Sequence, residues 1–408
     1  MCLPRVIISR MLPSQLKEWI KEQGRSLGFD RVGIAPASDL PELDFFTEWK
    51  RRGYAGQLDY LHNPKRADVR RLLPEVRSVI CCALNYHTQE FYSTQVPRDP
   101  ARGWISRYAW GDDYHDIMAE KLAALRARIA EKISHSFAAK LYVDTGPVLE
   151  RVYGKYAGLG WFGKNTCLLH PDLGSWFFLG VLVTNLDLPA DEPLADGCGA
   201  CTLCLEACPA GALVAPYVLD ARRCISYLNI ELRPEATPIN KLPGSAAQSA
   251  NQPLLSPGSI PVEFREKLGR NIFGCDICQD VCPWNQQSLA SSLPEFAPRT
   301  LAVGDVSETH LHPAPAPQFS TLRSTGVESL FHPLLAHLIA LSEEEFQRLF
   351  KKSSIKRVRW RGLLRNVLVA MGNSGKRDFR SILEKFASGT DPLLAEHARW
   401  ALTRLSAR

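Results

Sequence analysis

Two short cysteine-rich stretches constrain the fold of this chain more than any other feature of its sequence. The first, CGACTLCLEACPAGAL at 198–213, carries the spacing C-x2-C-x2-C-x3-C-P, and the second, CDICQDVCPWN at 275–285, carries C-x2-C-x3-C-P. The first spacing is typical of bacterial 4Fe-4S ligation, in which three thiolates bind one cluster and the fourth binds a second cluster. The chain is therefore predicted to fold so that the two stretches meet in space.

The second stretch lacks only a leading cysteine, and Cys224 in ARRCISYLN is available to supply it. The pattern then predicts two 4Fe-4S clusters with eight ligands. The ligands of one cluster are Cys198, Cys201, Cys204 and Cys282, and those of the other are Cys208, Cys224, Cys275 and Cys278. Structural zinc is the alternative, although a zinc site needs only four ligands. Buried or incidental thiols are expected at Cys2, Cys81, Cys82 and Cys167.

The composition indicates a folded chain with more than one domain. With 408 residues and 45% apolar content, it is long enough for two or three domains, and its net charge of +6 permits a polyanionic partner. The first residues lack a signal-peptide pattern, and the longest apolar run, WFFLGVLV at 176–183, is too short to cross a bilayer. We therefore expect a soluble, cytoplasmic protein with no membrane partner, whose twelve cysteines favour metal over disulfides.

The periodicity of apolar residues predicts an α/β or α+β arrangement in the first half of the chain. Helices are expected at 14–29 and 119–133, and strands at 31–36, 76–86, 140–147 and 175–186. A composition break at 187–197 precedes the cysteine-rich module. Because two closed clusters transfer single electrons without substrate chemistry, the reaction is expected on the N-terminal domain, which has room for a larger cofactor.

Two later segments differ in composition from the rest. Residues 233–261, rich in Pro, Ser, Ala and Gln, predict a flexible surface insertion. From about 325 onward the chain is helical again, loosely matching helix-pair repeats of the HEAT type. The candidate helices are 343–352, 355–372, 376–388 and 391–406. We expect domains at 1–190, 191–290 and 291–408.

One motif points to a nucleotide but lacks the required context. Residues GLGWFG at 158–163 match G-x-G-x-x-G, which binds dinucleotides only where the glycines connect a strand to a helix. Here the preceding VLERVYGKYA is typical of a helix, and bulky Trp161 and Phe162 stand where a phosphate turn would begin. A loop shaped around another flat ligand, or a plain loop, is favoured.

With these residues in view, the chain resembles the epoxyqueuosine reductases, which modify tRNA. The resemblance covers nearly the whole chain, although the segment between Cys224 and Cys275 is longer here than is usual in the family. It rests on both cysteine groups, the helical tail, NPKRADVRRLLPEVRSVI (63–80), ISRYAWGDDYH (105–115), VDTGPVLER (143–151) and GLGWFGKNTCLLHPDLGSWFFLG (158–180).

The resemblance implies an N-terminal cobalamin-binding domain related to that of reductive dehalogenases, a ferredoxin-like domain with two clusters that supply electrons, and a HEAT-like tail. The implied substrate is epoxyqueuosine at the wobble position of tRNAs with GUN anticodons, and the product is queuosine. An external electron donor and a monomeric state are also expected. The implied cobalamin contacts are Arg66, Arg107, Asp144, Leu169, Leu179, Ser226 and Asp276.

The implied proton donor is Asp144, because the departing epoxide oxygen must be protonated. Burial is expected to raise its pKa towards neutrality. From the residues alone, an Asp before Thr145-Gly146-Pro147 is more simply a turn former.

The tail carries a basic segment, KKSSIKRVRWRGLLR at 351–365, without an acidic residue. On a helix over 355–372, Arg357, Arg361 and Arg365 form a stripe away from the apolar face, which predicts binding to the tRNA backbone. A solvated basic face is the simpler alternative. The competing functions are a reductive dehalogenase-like enzyme for a small molecule and an electron-transfer module without catalysis.

Overall fold

The computed structural model describes residues 11–96, 99–133, 136–233, 256–302 and 327–407. Cys2 and most of the predicted insertion at 233–261 lie outside these ranges. In chain order, the elements up to residue 190 are α1 (Pro13–Ser26), β1 (Arg31–Pro36), α2 (Pro41–Arg51), β2 (Ser78–Asn85), β3 (Trp104–Ile105), α3 (Tyr114–Lys132), β4 (Ala139–Tyr142), α4 (Glu150–Tyr156), β5 (Trp161–Phe162), β6 (Leu168–Leu169) and β7 (Phe177–Thr184).

A four-stranded sheet in the order β1-β2-β7-β4 forms the centre of the N-terminal part. Each neighbouring pair is antiparallel. Side chains of a strand alternate between the two faces of its sheet, so Ile80 and Leu84 of β2 pack with α1 and α3 while Val79 and Cys81 pack with α4. Helices therefore cover both faces, and every residue of β2 is buried.

The cysteine-rich part consists of short elements that wrap around its thiols. They are α5 (Leu203–Ala207), β8 (Leu213–Ala215), β9 (Val218–Leu219), α6 (Ile225–Ile230), α7 (Val262–Arg265), β10 (Asn271–Phe273), α8 (Ile277–Asp280) and α9 (Pro283–Gln286). Strand β10 pairs in parallel with β3. This pairing fixes the second cysteine group against the segment that leads into α3.

The C-terminal part is mainly helical, as predicted. Its elements are β11 (Thr300–Ala302), β12 (Val327–Ser329), α10 (Leu335–Ile339), α11 (Glu343–Leu349), α12 (Arg359–Ser374), α13 (Arg380–Ala387) and α14 (Pro392–Ser406). Helices α12 and α13 pack on α14, and α12 ends at Gly375, whose φ of 71° permits the left-handed cap. All residues from 362 to 372 are buried. The helical character is confirmed, while the HEAT-type repeat stays a prediction.

Several details correct the sequence predictions. Because the central sheet is antiparallel, the N-terminal part is α+β and not α/β in the strict sense. The segment 140–147, predicted as a strand that ends in a turn, has its strand end at Tyr142 and its turn directly after it. The glycine motif at 158–163 connects α4 to β5, the reverse of the dinucleotide-binding order. In the described end of the insertion, Ile260 is fully buried, so 256–261 belongs to the packed structure.

Within the described ranges, none of the helices is both long enough and apolar enough to cross a membrane.

Candidate functional site

A cavity of about 300 Å³, here called the aspartate cavity, lies where the N-terminal sheet meets the cysteine-rich part. Its wall is mixed, with aromatic and apolar side chains beside polar and charged ones. The lining residues are Tyr86, Ser106, Tyr108, Tyr114, Asp144, Glu150, Arg151, Cys167, Leu168, Ser175, Phe177, Phe178, Leu179, Ser226, Cys275 and Gln279. Such a composition is typical of a binding site for a large organic molecule.

Asp144 stands on a tight loop directly after β4. Its φ of +51° lies in the left-handed region, which Asp tolerates better than most residues with a side chain. The backbone N–H of Thr145 donates to the Val143 carbonyl at 2.5 Å, and a Cβ on Gly146 would approach the Tyr142 ring to 2.2 Å. The sequence Asp-Thr-Gly therefore forms a strained turn that presents the carboxylate, in which the turn-forming and functional roles coincide.

The Asp144 carboxylate is part of a chain of charged and polar groups. The Tyr114 hydroxyl donates to its Oδ2 at 2.9 Å, and the Nε2 atom of His115 lies 3.5 Å from the same oxygen. On the other side of the ring, His115 Nδ1 lies 2.7 Å from Asp113 Oδ1. Lys356 Nζ, from the C-terminal part, lies 2.8 Å from Asp113 Oδ2. Asp113 also caps α3, so the helix start positions this chain.

These contacts set the protonation states. Burial lowers the pKa of His115, but the two carboxylates outweigh it and raise this pKa to about 9. Burial acts to raise the pKa of Asp144, but His115 and Tyr114 lower it to about 2. The expectation of a raised Asp144 pKa is therefore wrong for this structure: the proton resides on His115, and Asp144, whose side chain is 59% exposed, is ionised.

A second acid, Glu150, lines the same cavity at the first residue of α4. Burial and the charge of Asp144 raise the pKa of Glu150 to about 8. Its Oε1 atom is buried and has no hydrogen-bond partner among the described residues. At neutral pH the cavity thus holds one ionised and one protonated carboxyl group.

The predicted cofactor contacts divide into lining and supporting residues. Asp144, Leu179 and Ser226 line the aspartate cavity. Leu169 instead lines the neighbouring cavity formed by the first cysteine group. The remaining predicted contacts are Arg66 and Arg107 of the N-terminal part and Asp276 of the cysteine-rich part. Their side chains are buried in the structure that supports the cavity.

Arg66, Arg107 and Asp276 serve the loops around the cavity. The buried guanidinium of Arg107 donates to the carbonyls of Thr88, Glu90 and Phe91 at 2.9–3.1 Å. Arg66 Nη1 donates to the Val148 carbonyl at 3.0 Å, which ties residues near 60 to the Asp144 loop. Asp276 accepts from the Arg107 backbone N–H at 2.7 Å, from Trp104 Nε1 at 3.1 Å and from Ser106 Oγ. In the structure these three side chains position the loops around the cavity, and the predicted contacts of the three residues with cobalamin stay predictions.

The first predicted ligand set surrounds one space, here called the thiol cavity, of about 280 Å³. Cys198, Cys201, Cys204 and Cys282 all line it. Lys164 Nζ donates to the carbonyls of Gly199 at 2.6 Å and Cys201 at 2.9 Å, which fixes the first cysteine loop. The structure thus brings together three thiols from one stretch and one from the other.

The second predicted set also gathers in the interior. Burial raises the pKa of the Cys275 thiol, with further contributions from neighbouring Cys224 and Cys208. Burial likewise raises the pKa of Cys278, and the added contributions come from Cys167, Cys275, Cys224 and Cys208. Cys275 and Cys167 also line the aspartate cavity. The second thiol group therefore lies between the thiol cavity and Asp144.

The spacing of these groups bears on the zinc alternative. Among the described residues, no three Cys, His, Asp or Glu side chains converge as ligands of a single metal ion would. The thiols of the first set surround a cavity instead, which suits a multi-iron cluster better than one tetrahedral ion.

The tail arginines do not form the predicted outward stripe. Arg365 is fully buried, and its Nη1 donates to the carbonyls of Leu232 and Gly258, both at 2.5 Å. Because α12 is covered on nearly all sides, Arg365 cannot contact a phosphate, and its predicted tRNA role is wrong. Arg361 pairs with Asp391 at 2.6 Å, and Arg357 pairs with Glu231 at 2.7 Å.

Arg357 nevertheless approaches the aspartate cavity. Its guanidinium lies 5.6 Å from the centre of the Tyr60 ring, and Arg66 approaches the same ring at 5.3 Å. The charge of Arg357 also contributes to the lowered pKa of Asp144, after burial and the contacts with His115 and Tyr114. Arg357 and the half-exposed Tyr60 therefore lie within electrostatic reach of Asp144.

Sequence reasoning missed Tyr114, His115, Glu150 and Lys356 as site residues. His115 and Glu150 fall inside the motifs ISRYAWGDDYH and VDTGPVLER, so their association with Asp144 had a local signal. Lys356 had none, because its contact with Asp113 joins residues 243 positions apart.

Comparisons with known proteins match the whole chain. The family model described as epoxyqueuosine reductase QueG matches residues 66–145, and the model described as a 4Fe-4S double cluster binding domain matches residues 197–285. The Escherichia coli epoxyqueuosine reductase is 35% identical over 96% of this chain and 90% of its own length. The Pseudomonas aeruginosa epoxyqueuosine reductase is 35% identical over 96% of this chain and 95% of its own length.

Solved structures agree. An epoxyqueuosine reductase crystallised with an epoxyqueuosine-modified tRNA-Tyr stem loop has a TM-score of 0.75 and 29% identity, covering 96% of this chain and 90% of that one. The Bacillus subtilis enzyme, described with its catalytic aspartate loop swung out of the active site, has a TM-score of 0.73 and 28% identity over the same shares. A reductive dehalogenase aligns with 69% of this chain at a TM-score of 0.38, too low to establish a shared fold.

Proposed function

Because the chain belongs to the epoxyqueuosine reductase family, we propose that it reduces epoxyqueuosine to queuosine in tRNA. One structural observation carries the proposal: Cys275 of the second thiol group and Asp144 line the same cavity. A path for electrons and a site for protons therefore meet at one place. Reductive removal of an epoxide oxygen needs both, because the carbon accepts electrons while the oxygen must be protonated to leave.

The overall reaction consumes two electrons and two protons. Both carbon–oxygen bonds of the epoxide break, a carbon–carbon double bond forms, and the oxygen leaves as water. The electrons come from an external donor, and we propose that two 4Fe-4S clusters carry them. The proposed ligands are Cys198, Cys201, Cys204 and Cys282 for one cluster, and Cys208, Cys224, Cys275 and Cys278 for the other.

We propose cobalamin as the second redox cofactor, with the aspartate cavity receiving one part of it. Tyr86, Tyr108, Phe177 and Leu179 offer a broad apolar wall, and Ser226 offers a polar group on the cluster side. A large ring system with polar edges requires this mixture. When bound, the clusters and cobalamin supply the two electrons at the substrate carbon.

Asp144 and His115 act as the first proton donor. His115 holds a proton at Nε2, 3.5 Å from Asp144 Oδ2. Substrate that fills the cavity removes water from Asp144 and so favours its neutral form. The proton then passes from Nε2 to Oδ2 and on to the departing oxygen. Tyr114 orients the carboxylate through its hydrogen bond to the same Oδ2.

The tRNA contact is proposed at Arg357 and Arg361, without Arg365. Arg357 lies beside the half-exposed Tyr60 and within electrostatic reach of Asp144, and this is where the wobble nucleotide of a GUN anticodon is proposed to enter. A phosphate there competes with Glu231 for the guanidinium. Tyr60 offers a ring against which a base can stack. The division at 1–190, 191–290 and 291–408, the monomeric state and the cytoplasmic location belong to the same proposal.

The test is anaerobic reconstitution of the full chain with iron, sulfide and cobalamin, followed by incubation with a reductant and a tRNA stem loop carrying epoxyqueuosine. Conversion to queuosine, detected by mass spectrometry of the digested RNA, is the expected result. The same stem loop without the epoxide is the control. No conversion by a protein with its clusters intact would contradict the proposed function.

A further inference from the structure

We propose that Glu150 is the second proton donor of the reaction, placed in the aspartate cavity to complement the His115–Asp144 pair. The inference rests on the proposed function, since it assigns the second of the two protons that the reduction consumes. Its basis is geometric: Glu150 shares the cavity with Asp144, and its buried Oε1 has no partner within the described ranges.

The position of Glu150 follows from the local sequence. Asp144 and Glu150 are separated by one turn and the start of α4, so the loop 145–149 returns the chain to the same cavity. Arg66 holds the Val148 carbonyl at 3.0 Å, which fixes this return. The motif VDTGPVLER therefore delivers two acids to one wall of the site.

Two other glutamates of the described ranges, the buried Glu328 and the half-buried Glu42, show what a structural role requires. Glu328 pairs with Arg102 at 2.6 Å, and Glu42 pairs with Lys155 at 2.6 Å. Within the same ranges, no Lys, Arg or His lies at ion-pair distance from Glu150. An unpaired buried carboxyl group is costly in its charged form, so this position suits a neutral acid.

The charged and titratable groups around Glu150 agree with this state. Burial and then the carboxylate of Asp144 raise its pKa to about 8, and Arg66 and Arg151 lower it by less. From β2, the buried thiol of Cys81 also lies within electrostatic reach. Below about pH 8, Glu150 thus carries a proton while Asp144 remains ionised.

The proton balance of the reaction requires a second proton donor, and this is the role proposed for Glu150. Epoxide reduction takes up two protons, and both end in the water molecule that leaves. The His115–Asp144 pair supplies the proton that opens the first carbon–oxygen bond. Glu150 supplies the proton that allows the second bond to break, and it becomes a carboxylate. Solvent then restores both protons before the next turnover.

The experiment compares the full reconstituted chain with Glu150→Gln, which keeps the shape but carries no acidic proton, and with Glu150→Asp. Glu120→Gln, an exposed position on α3, is the matched control. The first measurement is an infrared titration of the carboxylic acid band without substrate. The second is the single-turnover rate on the epoxyqueuosine stem loop from about pH 6 to about pH 10, a range that lies on both sides of the raised pKa of Glu150.

The expected results distinguish a residue that donates a proton from one that has only a structural role. Wild type shows a carboxylic acid band that disappears as pH rises through about 8, and its rate falls over the same range. Glu150→Gln lacks the band, loses the corresponding limb of the pH profile, and slows turnover about 10- to 100-fold at neutral pH with KM retained. Glu150→Asp recovers part of the rate, and Glu120→Gln behaves as wild type.

Two outcomes contradict the proposal, and they are distinct. If wild type converts the stem loop but Glu150→Gln keeps the acid band or the full rate and pH profile, the role of Glu150 is wrong while the proposed function stands. If wild type with intact clusters converts nothing, the proposed function is wrong, and the assignment of the second proton is overturned with it.

Discussion

The Nε2 atom of His115 lies 3.5 Å from Oδ2 of Asp144, and Nδ1 of the same ring lies 2.7 Å from Oδ1 of Asp113. One imidazole is thus held between two carboxylates, which favours its charged form. The proton needed next to the epoxide is therefore stored on a residue adjacent to the aspartate, and not on the aspartate itself. Lys356 completes the arrangement by compensating the charge of Asp113.

Asp144→Asn should abolish most turnover while leaving the cofactors bound. The amide cannot pass a proton from His115 to the departing oxygen, so the rate should fall about 100- to 10,000-fold. Single-turnover assays on the epoxyqueuosine stem loop measure the rate, and visible absorption measures the clusters. Asp187→Asn, at an exposed position, should retain wild-type activity. An Asp144→Asn enzyme with unchanged rate would remove Asp144 from the mechanism.

His115 should make folding stability depend on pH in the alkaline range. Its pKa is raised from the ordinary 6.5 to about 9 in the folded chain. A group with a raised folded pKa stabilises the protein fully below its unfolded pKa, and this stabilisation is lost as pH rises through the folded pKa. Denaturant unfolding of the reconstituted chain should therefore show a loss on the order of 2 kcal/mol between about pH 6 and about pH 10.

His115→Gln should remove the part of that pH dependence centred near pH 9 and leave the part due to Glu150, whose pKa is raised to about 8. It should also lower turnover because Asp144 loses its proton store. The exposed His62 provides the control, since His62→Gln should leave the alkaline loss of stability unchanged. A His115→Gln protein that still loses the same stability on alkaline titration would show that another group is responsible.

Cys282→Ser should remove one cluster and spare the other. Because Cys282 lines the thiol cavity with Cys198, Cys201 and Cys204, its loss should reduce iron and sulfide content by roughly half. Iron analysis and the electron paramagnetic resonance of the reduced protein measure this. Cys167→Ser, which changes a thiol outside the predicted set, should keep the full iron content. Loss of iron in Cys167→Ser would contradict the ligand assignment.

Arg357→Ala should weaken binding of the tRNA stem loop and reduce its salt dependence. If the guanidinium contacts one phosphate, the slope of log affinity against log salt should fall by about one. Fluorescence anisotropy over a salt series measures the slope. Arg25→Ala, at the exposed end of α1, provides the comparison. Equal slopes for the two variants would contradict a phosphate contact at Arg357.

Arg365→Met should instead destabilise the fold, by about 3 kcal/mol, because carbonyls that Arg365 now satisfies would be left buried without donors. Denaturant unfolding measures the effect, with exposed Arg399→Met as the control. Near-normal stability together with a reduced salt slope would restore Arg365 to the tRNA surface.

The sequence was most informative where local pattern and chemistry coincide. Cysteine spacing predicted that Cys282 joins the first group in space, and a continuous apolar run predicted the fully buried strand β2. The sequence was least informative where segments distant in sequence determine the surroundings of a residue. The sequence predicts that Arg365 belongs to a basic stripe. In the structure, Leu232 and Gly258 from another part of the chain cover it. The predicted pKa of Asp144 was likewise wrong, because His115 lies next to its carboxylate. The order of residues in the sequence does not show this proximity.

The position of Arg365 also bears on how this chain tolerates changes in length. Its Nη1 donates to Leu232 and Gly258, the residues that lie on either side of the segment 234–255. One side chain thus holds Leu232 and Gly258, which are distant in sequence, at the same point of α12. Closing a longer loop between fixed ends costs little additional entropy. Residues can therefore be gained or lost there during evolution without moving Cys224 relative to Cys275.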